Sequence, residues 1–489
     1  MRTKLLLLAV LLGLIGHHVY FFYGHFGFDD LHYAELASEL LHGRVDFANQ
    51  YSYRIVPIGL TALSYAAFGI SDWSTALPAL LASAIILLIF YRLFRFVHFW
   101  MLVLALVAYF GMPWNLFYSD KLMPDIFVSA FCFGGWAAYL QYRTKGRAGP
   151  QVQAVIAAVC LFLAFNSKGT VILLVPLFTV YLIHDLLRGR WRFWLTFTAV
   201  CILLLTIYLG AIYLLTGSAL ARFSAIAGTH YLNPCSYDIL PRAELWSRLT
   251  YGFYGLIGSA GMLPHLVTAV VGLGVIGYGG KAYRGAALYP ITTLLSLASI
   301  NFMTISLTSY NPVCLDPRHI LLFSPILSVC SVLTLAAILR VFGWRTDTWG
   351  FRIAAVVASA LLLYPTLRQV RYGTTVGYER VKLAYTELIE GTPRPVVLYG
   401  SEVSTNLGHY YTRFAGDTGG IYFRNLDALP DCPTGSSDTT RYLLQSWYAD
   451  WHAGLSRDAI TRSVAAHGTT ASVSELEVSG LELSKLECN

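Results

Sequence analysis

Charged residues are scarce in this chain. Asp, Glu, Lys and Arg make up 12% of its 489 residues, and 56% of the residues are hydrophobic. A soluble globular chain usually carries about 25% charged residues, so the deficit excludes water as the main solvent and indicates a membrane protein. The sequence also lacks a long block of Lys and Arg, so its net charge of +7 does not indicate a nucleic-acid-binding protein.

Metal-site and signal-peptide patterns are missing as well. No cysteine pair has the spacing of a zinc site, and the sequence contains no internal repeat or low-complexity tract. No small-residue cleavage site follows the first apolar run, which continues to Phe22. We therefore interpret residues 4–22 as a transmembrane helix and not as a signal peptide.

Long apolar runs dominate the first three quarters of the chain. Runs of about 17 to 25 apolar residues predict transmembrane helices, because a helix of that length crosses the hydrocarbon core. Eleven such runs occur, and a shorter run over residues 55–70, interrupted by Pro57 and Gly59, predicts an interfacial or re-entrant helix. The predicted spans cover residues 4–22, 76–94, 97–114, 125–142, 151–166, 170–187, 193–215, 257–278, 286–307, 319–340 and 352–367. The expected fold is all-α and polytopic.

Basic residues before residue 367 are unevenly shared between the two faces of the membrane. Fifteen lie in one set of alternate loops, and eight lie in the opposite and longer set. Because loops rich in Lys and Arg stay in the cytoplasm, the first set and the N-terminus are predicted to be cytoplasmic. Eleven of the 13 acidic residues before residue 367 then face outward, and we expect the chemistry on that side.

The composition changes near residue 367. The remaining segment holds 14 acidic and 11 basic residues, as a soluble domain does, and eleven spans place it outside. Strands at 396–399 and 420–423, with a helix over 456–466 capped by Ser456, predict a small α/β fold. The predicted domains are a transmembrane domain over 1–366, with an outer loop at 23–75 that carries juxtamembrane helices, and an extracytoplasmic domain over 367–489.

Four of the eight cysteines lie within predicted spans, where cysteine behaves as a small hydrophobe. Cys235, Cys314, Cys432 and Cys488 lie in predicted extracytoplasmic segments, where disulfides form. The pairs Cys235–Cys314 and Cys432–Cys488 are one of three possible connectivities. Four unpaired thiols are the alternative.

An acidic pair, Asp29 and Asp30, follows the first span directly within the segment Gly27–Tyr33. One interpretation is structural: Asp29 caps a helix over residues 30–42, where acidic residues are favourable. The other is catalytic, because a carboxylate at the lipid–water boundary can act as the general base that deprotonates an acceptor hydroxyl during sugar transfer. The residues themselves leave both interpretations open.

Three further outer segments carry charged residues at the ends of spans. Lys121 and Asp125 lie just before and at the start of the fourth span, where Asp125 is alternatively a helix cap. Lys168 lies in the turn Asn166–Gly169 at membrane depth, where a cation usually has an anionic partner; a phosphate or lipid headgroups would serve. Arg318 and His319 precede the tenth span, and an Arg fork binds phosphate oxygens well.

These motifs, in this order, resemble the GT-C family of glycosyltransferases, in particular protein O-mannosyltransferases and lipid A aminoarabinose transferases. The resemblance covers about residues 1–340, and residues 367–489 match no family. It implies Asp29 as the catalytic base, with Asp30 and Asp125 as further acids of the site. The implied substrate-binding residues are Tyr33, Lys121, Lys168, Arg318 and His319.

Two positions depart from the family pattern. Asp30 stands where the family more often has Glu, and His319 replaces the usual Tyr, which leaves the role of His319 open. The resemblance implies no certain cofactor. A divalent cation shared by two acids and the carrier phosphate is the alternative.

The expected function is therefore an inverting glycosyltransferase of the bacterial inner membrane, with its site and its C-terminal domain outside. Its partners would be a polyprenyl-phosphate hexose or pentose donor, a lipid, glycan or protein acceptor, and membrane lipids. A lipid-linked oligosaccharide polymerase or ligase is disfavoured because the loop at 216–256 is modest in size. A transporter is disfavoured because its ionisable residues would lie within spans and repeats would be visible.

Overall fold

Helices form most of the structure. The computed structural model describes residues 1–489 apart from 23, 96, 98, 146–148, 229–234, 307–308, 345–347, 374–377, 393, 415–419, 429–439, 447–449, 451–455, 467–468, 472–475, 479–480 and 489. The helices of the first half are α1 (Arg2–Phe21), α2 (Asp29–Leu41), α3 (Ile55–Phe68), α4 (Asp72–Phe94), α5 (Phe99–Phe110), α6 (Pro113–Phe117), α7 (Pro124–Lys145), α8 (Pro150–Phe165), α9 (Val175–Leu186), α10 (Trp191–Thr216) and α11 (Ala221–Gly228). Those of the second half are α12 (Arg242–Ser247), α13 (Phe253–Ser259), α14 (Leu263–Tyr278), α15 (Leu288–Phe302), α16 (Ser324–Val341), α17 (Trp349–Gly373), α18 (Tyr378–Gly391), α19 (Glu402–Tyr411) and α20 (Arg457–Ala466).

The predicted polytopic architecture is confirmed. Within the described part of the chain, seven helices are long and apolar enough to cross a membrane. An eighth crossing results if Arg242–Ser259 and Leu263–Tyr278, which meet at 106°, form one span. Each of the eleven predicted spans contains helix, but the spans at 97–114 and 257–278 are each divided between two helices. Helices α5 and α8 have only 12 and 16 residues and are short for a crossing. The number eleven therefore stays a prediction.

Small residues set how closely the helices pack. A Cβ added at Gly134 of α7 would lie 3.0 Å from the sulfur of Cys160 on α8, and a Cβ at Gly272 of α14 would overlap Thr334 of α16. Close backbone approach through small residues is how helices associate in lipid, where the hydrophobic effect does not drive them together.

Asp185 anchors three helices at the predicted cytoplasmic side. Its buried carboxylate accepts hydrogen bonds from Arg143 of α7 at 2.7 Å, Tyr139 of α7 at 3.0 Å and Trp194 of α10 at 3.1 Å. A buried carboxylate is stable only when it is paired and hydrogen-bonded in this way, so the cluster fixes α9 against α7 and α10.

A mixed β-sheet lies in the C-terminal part of the chain. Strands β1 (Val396–Gly400), β2 (Ile421–Asn425) and β3 (Thr440–Ser446) are parallel, with β1 in the middle. Strand β6 (Leu481–Cys488) runs antiparallel to β3 and also pairs with β4 (Thr469–Ala471) and β5 (Leu476–Val478). The predicted small α/β fold is confirmed.

Helix α20 packs on this sheet as its sequence predicts. Ser456 accepts a hydrogen bond from the Ala459 amide at 3.1 Å, which is the expected N-cap contact. Ile460 and Val464 of the same helix are buried against Tyr399 and Leu443 of the sheet. The apolar face of the helix thus contributes to the hydrophobic core of the C-terminal fold.

The chain forms two compact units, and each unit is made of three separate stretches of the sequence. One unit comprises residues 1–16, 46–57 and 79–370, and the other comprises 17–45, 58–78 and 371–489. The second unit thus combines the predicted C-terminal domain with much of the predicted outer loop.

One disulfide closes within the first unit. Cys235 is bonded to Cys314, as in one of the predicted connectivities. Cys432 and the side chain of Cys488 lie outside the described residues, so their pairing stays a prediction.

Candidate active site

Asp30, and not Asp29, is the acid that fixes the start of α2. The helix begins at Asp29, and its N-terminus carries no side-chain cap, so the predicted cap by Asp29 is wrong. Asp30 is fully buried and accepts hydrogen bonds from the amides of Phe26 at 2.7 Å and Phe28 at 3.1 Å. The Asp30 carboxylate therefore folds the preceding segment back onto the helix start, while Asp29 stays half-exposed.

Tyr33 lies one turn further along α2 and is fully buried. It therefore belongs to the packed face of the helix, and its proposed contact with substrate stays a prediction. Glu35 lies on another face of the helix, with His32 at 3.9 Å. The interaction with His32 lowers the pKa of Glu35.

Three of the sequence motifs meet in the first unit at a buried ion pair. The ammonium of Lys168 lies 2.8 and 2.9 Å from the two carboxylate oxygens of Asp125. His319 Nδ1 lies 3.5 Å from Asp125 Oδ1. Asp125 is in the first turn of α7, Lys168 is in the turn after α8, and His319 is in the short helix before α16. Three helix ends that are predicted to face outward therefore converge on one carboxylate.

Lys168 therefore has an anionic partner within the protein. Burial lowers the pKa of Lys168, Asp125 opposes this effect, and the charges of Arg318 and Arg54 lower the pKa further. Burial and the charge of Lys168 also lower the pKa of His319, so its imidazole is neutral at neutral pH. Asp125 is thus held as a carboxylate by a cation on one side and faces a neutral imidazole on the other.

Arg318 and Arg54 add two further positive charges to this cluster. Asp316 accepts a hydrogen bond from the Arg318 amide at 2.9 Å, and its carboxylate lies 3.3 Å from the Arg318 guanidinium. The three cations, Arg54, Lys168 and Arg318, thus outnumber Asp125 and Asp316. The cluster carries a net positive charge at the end of the helices, which suits a phosphate or another anion.

Arg54 had no role assigned from the sequence. It directly precedes α3, and its guanidinium lies 4.7 Å from the ring centre of Tyr51. Its position just before a Pro-containing apolar run could have marked it as a candidate. A single basic residue is not a motif, however, so there was no reason in the sequence to select it. Only the fold brings its charge near Lys168.

Lys121 has a different setting. Its ammonium lies 3.2 Å from a carboxylate oxygen of Asp120, its neighbour in sequence, and both side chains are almost completely buried. Substrate binding by Lys121 stays a prediction. Among the residues that the structure describes, no three His, Cys, Asp or Glu side chains are grouped so that they could hold a metal ion.

The fold matches that of two solved structures over almost the whole chain. No family model matches the sequence, and no curated protein does. The crystal structure of ArnT from Cupriavidus metallidurans in the apo state is 13% identical, with a TM-score of 0.58, and the match covers 99% of this chain and 97% of that one. The structure of the same protein bound to undecaprenyl phosphate is 15% identical, with a TM-score of 0.55 and the same coverage. The expected GT-C fold is thereby confirmed.

Proposed function

We propose that the protein is an inverting glycosyltransferase of the bacterial inner membrane. It transfers a hexose or pentose from a polyprenyl-phosphate carrier to a lipid, glycan or protein on the extracytoplasmic side. The observation that carries the proposal is the cluster of Arg54, Lys168 and Arg318 at the ends of membrane helices, where a lipid-linked phosphate would arrive. The fold supports it, because a structure with this fold holds undecaprenyl phosphate.

The cationic cluster would bind the phosphate of the carrier. A guanidinium fork binds two phosphate oxygens at once, and Arg54 and Arg318 offer two such forks beside the buried Lys168. Negative charge grows on this phosphate as the bond to the sugar breaks. Fixed cations stabilise that charge in the transition state more than in the ground state, which is how they accelerate the reaction. Asp125 would hold Lys168 in place and keep it charged.

Asp29 is the proposed base. The residue is partly exposed and can meet an acceptor, whereas Asp30 is fully buried. Asp29 would take the proton of the acceptor hydroxyl as the oxygen attacks the anomeric carbon. The bond between that carbon and the phosphate oxygen breaks, and polyprenyl phosphate leaves with inversion at the sugar.

A transfer assay tests the proposal. Purified protein in detergent or liposomes is given labelled polyprenyl-phosphate sugars, and sugar release and transfer are compared for wild type, Asp29→Asn and Asp46→Asn. Asp46 is an exposed acid of the same outer loop and serves as the matched control. We expect Asp29→Asn to lose at least about a hundredfold in rate, the low end of a general base's contribution, and Asp46→Asn to keep the wild-type rate.

Two results would contradict the proposal at different levels. If Asp29→Asn remains fully active, the base is another acid, with Asp30 and Asp125 next in line. If wild type consumes no polyprenyl-phosphate sugar, the glycosyltransferase assignment itself is wrong.

A further inference from the structure

His25 lies buried between two carboxylates in the second unit. It belongs to the segment between α1 and α2, and its residue is 1% exposed. Its Nε2 lies 3.0 Å from the hydroxyl of Tyr410 and 3.3 Å from Asp72 Oδ1. Its Nδ1 lies 3.7 Å from Asp30 Oδ2. The imidazole therefore connects the acidic motif on one side with α4 and α19 on the other.

The residues on the Asp72 side of His25 are also bonded to one another. The Tyr410 hydroxyl lies 2.9 Å from the hydroxyl of Thr75 and donates to Asp72 at 3.2 Å. Lys382 of α18 forms an ion pair with the same Asp72 carboxylate. Helices α18 and α19 follow residue 371, so residues of the C-terminal segment hold the group that faces His25.

On the Asp30 side, His25 belongs to the segment that leads to Asp29. Asp30 binds the amides of Phe26 and Phe28, and Asn406 of α19 donates to the carbonyl of Gly27 at 3.0 Å. Gly27 has a φ of +84°, and a Cβ there would lie 2.8 Å from Val403. The backbone of residues 25–30 thus rests directly on α19.

The charges around His25 favour its protonated form. Burial alone lowers the pKa of His25, but its interactions with the carboxylates of Asp30 and Asp72 outweigh burial and raise the pKa above its ordinary value. Tyr410 contacts the ring as a neutral phenol, since burial raises its own pKa. The positive charge of Lys382 balances the negative charge of Asp72. The cluster is therefore balanced when His25 is an imidazolium.

We infer that His25 is a positioning residue: as an imidazolium between Asp30 and Asp72, it fixes the segment that presents Asp29 and makes that placement depend on α19. This role rests on the proposed function of Asp29 as the base. His25 does not touch substrate in this role and acts through the backbone of residues 25–30. Loss of its charge would remove the cation between the buried Asp30 and Asp72, which Lys382 still pairs, and would loosen the segment.

Kinetics of His25→Gln test the inference, with His42→Gln as the matched control. Gln keeps a polar side chain but cannot carry charge, and His42 is an exposed histidine of the same loop. We expect kcat to fall by about a hundredfold, because a displacement of about 1 Å at a reacting group has that effect, with the donor KM changed less than about twofold. Wild-type activity should also decline at alkaline pH as His25 loses its proton, and the variant should lack this decline.

Hydrogen exchange separates this inference from the proposed function. The amides of Phe26 and Phe28 should exchange at least about tenfold faster in His25→Gln than in wild type or His42→Gln. Thermal stability gives a second readout. A histidine with a raised pKa in the folded state stabilises fully below its ordinary pKa, and this contribution disappears as pH rises through the raised value. The Tm of wild type should therefore fall on the alkaline side relative to that of His25→Gln.

The outcomes are distinct. Unchanged exchange at both amides, or a wild-type kcat with the alkaline decline retained, would overturn the role of His25. If wild type proves inactive with every polyprenyl-phosphate donor, the proposed function fails, while exchange and Tm still decide whether His25 holds the segment. If His25→Gln does not fold, Tyr410→Phe, which removes the hydroxyl that contacts the His25 ring, Thr75 and Asp72, takes its place. It should then speed exchange of the same amides, and unchanged exchange would again overturn the role.

Discussion

Replacing Lys168 by Met would remove the cation from the buried ion pair with Asp125. The two side chains are 12% and 4% exposed, and the ammonium lies 2.8 Å from the carboxylate. Met keeps most of the side-chain volume, so the main loss is the charge. Removing one partner of a buried pair leaves an uncompensated charge and destabilises a protein by about 3–5 kcal/mol. We expect a loss of free energy of unfolding near the lower end of that range, because Arg318 and His319 also face Asp125.

His319 gives this loss a pH dependence. In wild type, burial and the charge of Lys168 lower the pKa of His319. Without Lys168, one of these causes disappears, so His319 should take up a proton more readily and partly replace the missing cation. The destabilisation should therefore be smallest in mildly acidic buffer and largest above neutral pH, where the imidazole is neutral.

The assay is a double-mutant cycle in detergent, read by denaturant or thermal unfolding. It compares Lys168→Met, Asp125→Asn and the double variant, with Arg44→Met, at an exposed base of the outer loop, as the control. The control should stay within about 0.5 kcal/mol of wild type. The double variant should lose less than the sum of the single losses, because the second change removes the charge that the first left unpaired. Additive losses would refute the reasoning, since they would mean that the two groups do not interact.

Two further predictions concern the same unit. Arg318→Gln removes a guanidinium from the proposed phosphate site. The loss of a charged hydrogen bond, about 1.5–3 kcal/mol, should raise the donor KM by at least about tenfold, and an unchanged KM in the transfer assay would show that Arg318 does not bind the phosphate. Replacing Cys235 and Cys314 together by Ser should lower the free energy of unfolding by about 2–4 kcal/mol. Thermal scans with and without reductant check this, because reductant should lower the Tm of wild type but not that of the variant.

The apolar runs predicted where helices lie, because hydropathy alone decides which segments enter lipid. They did not predict where helices break. The run at 257–278 contains Gly261, which has a φ of +73°, and Pro264 in the first turn of α14, and the helices bend there by 106°. Similarly, Pro113 starts a new short helix after α5. Such breaks depend on single residues that a window of apolar composition averages away.

The sequence identified the candidate site residues by their chemical type, but it did not identify the residues that they contact. Asp125, Lys168 and His319 each stood out as a charged or polar group at the end of a predicted span, but their mutual contact depends on how α7, α8 and α16 pack. His25 and Arg54 were missed because each is a single residue without a motif. Their importance comes from neighbours that are distant in sequence, such as Tyr410 for His25.

Three acids that look equivalent in the sequence differ in their burial and contacts. Asp30 is occupied by backbone amides and faces His25, and Asp125 is occupied by Lys168. A carboxylate held in this way organises its surroundings but has little freedom to approach a substrate and accept its proton. Asp29 is the partly exposed member of the three, and it is attached directly to the buried Asp30. A buried, hydrogen-bonded neighbour would hold the backbone of the proposed base in position, as general-base catalysis by a positioned carboxylate requires.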